Sequence, residues 1–331
     1  VNTLNFNNNF FKKELREGFE ISSMMKRAWA AQLEVFHIVA DICEKNGIRY
    51  FADWGTLLGA VRHKGMIPWD DDIDISLMRD EYNQLIKILP EQLPHGFVIA
   101  GMYADSKRLQ DAAFVPQLRV IADETLWNFN DYMKFFHGFP YQRVGIDIFP
   151  LDYLSRDADF LQVQKNIIML GMNILEHWNE LEKNATLKHY LAEFASLCNI
   201  NVELNQSTKN NIWRIIDNVA SLCYNDEADY VTNITYLVEV DDEKYKIHKQ
   251  CFDKVIKMPF EHITINAPIG YDEVLRSEYG DYMAPVKGTS CHDYPFYGHM
   301  EQELIHQIRN TGFNGNIDEF CEAVESGRLR V

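Results

Sequence analysis

The 331-residue sequence has few cysteines, fewer basic than acidic residues and no long apolar run. Its six cysteines lie 25 or more residues apart, which argues against a zinc motif or a disulfide framework and predicts free thiols in a reducing compartment. The most apolar helical candidate, Ile167 to Leu175, is much shorter than the roughly 18 to 20 residues that a membrane-spanning helix needs. Val1 to Phe11 also lack the basic end and apolar run of a secretory signal. We therefore expect a cytoplasmic protein without a transmembrane segment, either free or attached at the inner membrane face.

Basic residues number 32 against 49 acidic residues, which gives a formal net charge of −17 at pH 7. A surface this negative repels nucleic acid and anionic lipid, so we expect no nucleic-acid partner. A negative excess suits a protein that holds divalent cations, although solubility alone explains many acidic compositions.

The first half of the chain predicts alternating helices and strands. The apolar period from Met25 to Cys43 predicts a helix that Ser22 or Ser23 caps at its start and Gly47 ends. Asp80 to Leu89 predict a second helix, stopped by Pro90. The predicted strands are Ile48 to Ala52, Ile73 to Leu77, Phe97 to Gly101, Phe114 to Ile121 and Val144 to Phe149. The Asn-rich start, Asn2 to Asn9, predicts a frayed end.

After Pro150 the pattern becomes helical, over Phe160 to Lys183, Leu187 to Asn199 and Lys209 to Cys223. No linker rich in Pro, Gly or Ser separates this half from the first. We therefore expect one body of the α/β (α+β) class with two lobes. The predicted divisions are an N-terminal extension (1–21), a catalytic core (22–155), a helical lobe or lid (156–258) and a C-terminal segment that packs back on the core (259–331).

The acidic run Asp70 to Asp74 is the most informative feature. On a strand, Asp72 and Asp74 project to one face while Ile73 and Ile75 project to the core. A cation between two such carboxylates relieves their repulsion, and an all-oxygen ligand set favours Mg²⁺, with Mn²⁺ as the alternative. Asp72 and Asp74 are therefore predicted metal ligands and catalytic residues.

Three other interpretations of the run were weighed. A solvated acidic turn is the commonest one, but the flanking Pro68-Trp69 and the alternating isoleucines argue against it. An EF-hand loop is excluded because Ile75 stands where that loop needs glycine. An acid cluster that begins the next helix explains Asp80 but not Asp72 and Asp74.

Gly55-Thr56 follows a predicted strand and begins a predicted helix, 16 residues before the acids. Glycine lets the backbone approach a phosphate, the helix start offers free N–H groups, and the Thr56 hydroxyl adds a donor. Arg62 and Lys64 would supply the cations that a nucleotide diphosphate requires, although each alone also fits a solvated helix end.

Asp147 stands alone among apolar residues in Gly145 to Asp152. A carboxylate in that setting needs a metal, a proton or a cationic partner, and Arg119 is the candidate partner. Together with Asp72 and Asp74, it makes a third predicted catalytic and metal-binding acid, the arrangement typical of two-metal phosphoryl transfer.

The stretch from Gly55 to Asp74 resembles the signature of the LicD-type phosphocholine transferases, which are related to the fukutin-related transferases. Further matches in order are Gln117-Leu118-Arg119 with Thr125, Gly145 to Asp152, Pro259-Phe260-Glu261, Tyr279 to Met283 with Pro285, and His292. The resemblance spans roughly Ser22 to His292. It implies a nucleotidyltransferase-like fold with a mixed sheet core, flanking helices and a helical second lobe.

The resemblance also implies roles for individual residues. Gly55, Thr56, Arg62, Lys64, Arg119 and His292 are expected to bind the donor, and Asp72, Asp74 and Asp147 to hold the metal. For His292 a plain surface position is an equal interpretation. A choline headgroup would need an aromatic cage. The aromatic candidates considered are Trp54, Trp127, Phe129, Tyr132, Tyr153, Trp178, Tyr294 and Tyr297.

The resemblance implies metal-dependent transfer of phosphocholine, or a similar phospho-alcohol, from CDP-choline or another CDP-linked donor. The expected acceptor is a hydroxyl of a cell-surface glycan such as teichoic acid, lipopolysaccharide, capsule or glycolipid. The alternatives are a nucleotidyltransferase that releases pyrophosphate and a non-catalytic protein that binds glycan or another protein.

Overall fold

The computed structural model describes residues 3–7, 9–104, 116–140, 143–205, 207–286, 295–298, 305–306, 308–310 and 312–330. The elements up to residue 101 are β1 (Glu14–Arg16), β2 (Phe19–Ile21), α1 (Ser23–Lys45), β3 (Phe51–Ala52), α2 (Trp54–Arg62), β4 (Asp74–Met78), α3 (Arg79–Gln92) and β5 (Phe97–Gly101). Those from 118 to 197 are β6 (Leu118–Ala122), α4 (Phe129–Phe135), β7 (Gly145–Ser155), α5 (Ala158–Glu176), α6 (Trp178–Lys183) and α7 (Leu187–Leu197). The remainder are α8 (Thr208–Ala220), β8 (Ala228–Thr232), α9 (Ile234–Val240), β9 (Ile247–His248), β10 (Val255–Phe260), β11 (Ile263–Pro268), α10 (Tyr271–Tyr279) and α11 (Ile317–Glu325).

A seven-stranded mixed sheet has the strand order β3-β4-β7-β6-β5, with β8 paired to the second half of β7 and β9 paired to β8. Strands β4 and β7 are parallel, whereas β3–β4, β5–β6 and β6–β7 are antiparallel. The predicted α/β class with a mixed sheet is confirmed. Two small hairpins, β1–β2 and β10–β11, lie outside this sheet.

Helix α1 is buried almost all round and packs against the sheet. The Ser22 side chain accepts a hydrogen bond from the Met25 N–H (3.1 Å), as the capping pattern predicts, and Gly47 follows the helix with φ of +65°. The residues before it are not frayed as predicted. Phe6 and Phe10 are buried in the core, where their rings pack against each other and against His262, and the Leu4 N–H donates to Glu34 on α1 (2.8 Å).

Two prolines do not end elements as predicted. Helix α3 runs past Pro90 to Gln92, because only one ladder bond is lost in the last turn and the Leu93 N–H still donates to Leu89 O (2.9 Å). Strand β7 runs through Pro150. The Asp147 N–H points to β4, where it donates to Ile73 O (3.1 Å), so the nitrogen of Pro150 points to the opposite side, in the gap between β6 and β8.

The described residues form two hydrophobic cores. The larger one lies on both sides of the sheet and includes residues from Phe6 to Val324. The smaller one lies among α5, α7, α8 and α9 and includes residues from Leu154 to Val238. The helical pattern predicted over 160–183 is divided into α5 and α6. Among the described residues, no helix is both long and apolar enough to cross a bilayer.

Candidate active site

Two of the three predicted acids lie opposite each other on the central pair of strands. Asp74 is the first residue of β4, and in the parallel register its Cα partner on β7 is Asp147. The strand begins at Asp74, so Asp72 precedes it rather than belonging to it. Asp74 and Asp147, which are 73 positions apart in the sequence, are therefore brought together by direct strand pairing.

A cleft of about 560 Å³ lies over this point of the sheet. Asp72, Asp74 and Asp147 all line it, together with the cationic side chains Arg119 and Arg143. Gln32, Gln117 and Phe296 also contribute to its wall. The structure thus brings the three predicted acids into one cavity, while their roles as metal ligands and catalysts stay a prediction.

Asp147 is paired with Arg119, as the alternative interpretation of this acid anticipated. The two residues are cross-strand partners on β7 and β6, and the Arg119 Nε contacts Asp147 Oδ1. The Gln117 side-chain amide donates to Asp147 Oδ2 (3.4 Å). Arg119 is not buried, because 37% of its side chain is exposed, against 16% for Asp147. The pair therefore lies in an open cleft, where a phosphate could reach the guanidinium.

The acids at the start of β4 raise one another's pKa values. Burial and then the charges of Asp72 and Asp147 raise the pKa of Asp74 well above its usual range. Burial, followed by the charge of Asp72, likewise raises the pKa of Asp70 well above its usual range. Neither Asp70 nor Asp74 has a Lys or Arg partner in the part of the chain that the structure describes. A bound cation would relieve this repulsion, which is the physical requirement of a metal site.

A second, closer group of acids overlaps the first. One carboxylate oxygen each from Asp70, Asp71 and Asp72 lie within 4.8 Å of one another. Asp71 is fully buried, and its Oδ2 accepts a hydrogen bond from the Phe296 N–H (2.6 Å). Asp72 is common to both groups, and the sequence interpretation overlooked Asp70 as a potential ligand.

Helix α1 holds the acidic turn through backbone carbonyls. The Trp29 Nε1–H donates to Asp70 O (2.9 Å), and the Gln32 amide donates to Asp71 O (2.6 Å). The loop before the turn is fixed by Glu261, whose Oε1 accepts bonds from the Met66 N–H (3.0 Å) and the Arg16 guanidinium (2.9 Å). Trp29 and Gln32 were not identified from the sequence, because they are 41 and 39 residues from their partners.

Gly55 and Thr56 contact the acids themselves rather than the cleft. A Cβ at Gly55 would lie 2.3 Å from Asp70 Oδ2, so only glycine lets this carboxylate approach. Thr56 is buried, and its Oγ1 accepts a hydrogen bond from the Asp74 N–H (2.9 Å). This bond fixes the start of β4 against the start of α2. Phosphate binding by Gly55 and Thr56 stays a prediction.

Arg62 and Lys64 are not among the residues that line the cleft. Arg62 donates to Tyr282 O (2.7 Å) and so ties the end of α2 to the segment after α10. Lys64 is exposed, and its carbonyl accepts from the Glu261 N–H (2.9 Å). Their role as phosphate-binding cations stays a prediction, as does that of His292, which lies outside the described residues together with Tyr294.

Comparison with known proteins identifies the segment that contains these acids. Residues 47–166 match the family described as LicD/FKTN/FKRP, nucleotidyltransferase domain. This segment is similar to the LicD-type domain. It contains the three predicted acids, Gly55, Thr56 and Arg119, which confirms the resemblance drawn from the sequence.

The LicD-type domain has relatives among curated proteins. The lipopolysaccharide cholinephosphotransferase LicD of Haemophilus influenzae is 50% identical over 56 residues, which are 17% of this chain and 20% of that protein. The ribitol 5-phosphate transferase FKRP of Homo sapiens is 40% identical over 48 residues, 14% of this chain and 10% of that protein. An uncharacterised protein of Rickettsia prowazekii, RP689, is 42% identical over 71 residues, 20% of this chain and 27% of that protein. The matches thus span between a tenth and about a quarter of these relatives.

Proposed function

We propose that the protein transfers a phospho-alcohol group, with phosphocholine as the leading candidate, from a CDP-linked donor to a hydroxyl of a glycan. The observation that carries the proposal is the cleft in which Asp72, Asp74 and Asp147 meet Arg119. The relatives named as cholinephosphotransferase and ribitol 5-phosphate transferase support the choice of a phospho-alcohol over a nucleotide as the transferred group.

The donor set fits a divalent cation such as Mg²⁺. The acids in the cleft offer only oxygen ligands, and burial together with the neighbouring charges of Asp72 and Asp147 raises the pKa of Asp74. Asp72 and Asp74, with Asp147 or Asp70, would hold the ion. When bound, the ion supplies positive charge to the phosphate oxygens of the donor.

Side chains of the protein would orient the donor phosphates and accept the proton of the attacking hydroxyl. Arg119 and Arg143 present guanidinium groups to the phosphates and orient them in the cleft. The acceptor hydroxyl forms a new O–P bond on the side opposite CMP, and the P–O bond to CMP breaks. Asp147 can take the hydroxyl proton only when it is not a metal ligand, because one carboxylate cannot fully serve both purposes.

The reaction is tested by supplying CDP-choline, Mg²⁺ and candidate glycans, and measuring CMP and pyrophosphate. Release of CMP together with a phosphorylated glycan supports the proposal. Release of pyrophosphate from CTP would establish a nucleotidyltransferase instead. Glycan binding without turnover of CDP-choline, CDP-ribitol or CDP-glycerol would establish a non-catalytic protein. The Asp74→Asn variant is the control for contaminating activity.

A further inference from the structure

A second, smaller pocket lies beside the cleft and is walled by aromatic rings. Trp54 at the start of α2, Tyr236 on α9 and Tyr245 in the turn after it line this pocket, together with the carboxylate residues Asp53 and Glu278. All three aromatic residues are half-buried.

The three rings are arranged edge against face. The centroids of Trp54 and Tyr236 are 4.9 Å apart with an interplanar angle of 76°, and those of Tyr236 and Tyr245 are 4.9 Å apart at 83°. Trp54 and Tyr245 are 6.1 Å apart. Lys244 Nζ lies 4.8 Å from the Tyr245 centroid, so one of the rings already attracts a cation, although Lys244 does not line the pocket.

The carboxyl group of Glu278 lines the pocket, and one of its oxygens lacks a hydrogen-bond partner among the described residues. Its Oε2 atom is inaccessible to solvent and has no hydrogen-bond partner among the described residues. Burial and then the charge of Asp53 raise the pKa of Glu278 well above its usual range. A raised pKa favours the neutral carboxylic acid when the pocket is empty, whereas a bound cation would favour the charged carboxylate, so Glu278 is suited to compensate a cation that enters.

The pocket and the cleft are connected through strand β7 and through the hydrogen bond between Asp53 and Asp74. Residues Asp147 and Phe149 line the cleft and Leu151 lines the pocket, so alternate residues of β7 place both cavities on one face of the sheet. The Asp53 N–H donates to Asp74 O (3.1 Å), and the Asp53 side chain accepts from the Trp54 N–H (3.0 Å). Trp54 has φ of +45°, a strained value for a bulky residue.

We propose that Trp54, Tyr236, Tyr245 and Glu278 bind the quaternary ammonium group of the donor. This inference rests on the proposed function and specifies its donor. Aromatic faces and a carboxylate without hydrogen-bond donors fit a trimethylammonium group, which has charge but no N–H. A primary ammonium would instead donate hydrogen bonds to the carboxyl groups of Asp53 and Glu278, so comparison with ethanolamine distinguishes the two kinds of cation. The aromatic candidates from the sequence include Trp54 but not Tyr236 or Tyr245, which come from the helical half.

Binding to the full chain, without metal or donor, tests the cation preference. Choline, ethanolamine and 3,3-dimethylbutan-1-ol are titrated by calorimetry, because the last has the shape of choline without its charge. We expect choline to bind at least about tenfold tighter than either of the others, within the range of a desolvated cation–π contact. Equal affinity of choline and its neutral analogue would overturn the proposal, as would the absence of choline binding.

Substitutions of the pocket residues test whether choline binds in this pocket. Tyr245→Leu is expected to weaken choline binding about 5- to 30-fold, whereas Tyr245→Phe keeps the ring and stays within a few-fold of the wild type. Glu278→Gln is expected to weaken it by a similar factor. The matched controls are Tyr190→Leu, an exposed ring elsewhere, and Glu273→Gln, a carboxylate of α10 whose partner is His248 (2.6 Å). Losses in the controls equal to those in the pocket would contradict the assignment.

The donor series separates this inference from the proposed function. Release of CMP from CDP-choline, but much more slowly from CDP-glycerol and CDP-ribitol, supports both. Faster release from CDP-ribitol or CDP-glycerol would keep the transferase and overturn the ammonium pocket. Choline binding that depends on Tyr245, without turnover of any CDP-linked donor, would keep the pocket and overturn the transferase.

Discussion

Two groups of carboxylates lie along the same pair of strands, and the protein compensates them differently. Beyond the end of β4, Arg79 bonds to Asp152 Oδ1 through Nε (2.6 Å) and lies 2.9 Å from Asp217 Oδ1 through Nη2, with all three side chains buried. At the start of β4, Asp70 and Asp74 have no such cation among the described residues. Burial raises the pKa of Asp152 to about 6 although Arg79 opposes it, whereas burial and the neighbouring carboxylates of Asp72 and Asp147 all raise the pKa of Asp74.

This difference indicates that the Arg79 group stabilises the fold, whereas the Asp74 group is suited to bind a ligand. The Arg79 group is complete, and its Asp152 also accepts a bond from the Ile234 N–H (3.3 Å), which ties the sheet to α9. The group at Asp74 borders a cleft, and Asp70 and Asp74 have no Lys or Arg partner among the described residues, so this group is the one that we propose binds a cation. Substitutions in the two groups should therefore separate loss of stability from loss of activity.

The largest effect on stability is expected from Arg79→Met. This change leaves Asp152 and Asp217 buried without their cation and should lower the free energy of unfolding by about 3 to 5 kcal/mol. Activity per folded molecule should be kept, as measured by CMP release corrected for the folded fraction. Arg49→Met, which breaks the more exposed pair with Glu81 (2.8 Å), is the control and should cost about 1 kcal/mol or less. Equal losses from the two variants would show that burial does not distinguish the pairs.

The next effect concerns pH. Burial raises the pKa of Asp53 to about 6. Because the folded state holds this proton more tightly than the unfolded state, the stabilisation is present below about pH 4 and is lost as pH rises through 6. Asparagine does not titrate, so the Asp53→Asn variant does not lose this stabilisation as pH rises. The free energy of unfolding of the variant, relative to that of the wild type, should therefore be roughly 3 kcal/mol more favourable to folding at pH 8 than at pH 4. Urea unfolding at both pH values measures the gain, and a constant difference would contradict the raised pKa.

A smaller effect is expected from Thr56→Val. The change removes the acceptor of the Asp74 N–H and leaves that buried donor unpaired, which should cost about 1 to 3 kcal/mol of stability. Thr56→Ser keeps the hydroxyl and should recover most of the loss. If valine and serine variants are equally stable but bind the CDP-linked donor differently, the hydroxyl serves the ligand, as the sequence interpretation proposed.

The smallest effect on stability is expected from Asp147→Asn. Its partner Arg119 is 37% exposed, so breaking the pair should cost about 1 kcal/mol or less, in contrast to the change at Arg79. Turnover should nevertheless fall at least about a hundredfold if Asp147 holds the metal or takes the proton. Thermal melting and CMP release on one preparation measure both quantities. A much lower melting temperature with unchanged activity per folded molecule would assign Asp147 a structural role.

The sequence predicted the parts of this comparison that depend on local pattern. Alternation in Ile73 to Leu77 predicted β4 to within a residue, and the motifs predicted that Asp147 would reach the acids. It did not predict contacts between distant segments, such as Trp29 with the acidic turn or Tyr236 with Trp54, because no local period encodes them. It also misjudged Pro90 and Pro150, since the effect of a proline depends on which neighbour its nitrogen faces.

The most direct test of the cation site is the effect of Mg²⁺ on thermal stability in the wild type and in Asp74→Asn. Without metal the variant should be as stable as the wild type or more stable, because the pKa of Asp74 is raised and asparagine removes a repelled charge. Saturating Mg²⁺ should raise the melting temperature of the wild type, by an amount equivalent to about 2.7 kcal/mol at a hundred times the dissociation constant, and leave the variant unchanged. An equal rise in both proteins, or no rise in the wild type, would contradict a metal site at Asp74.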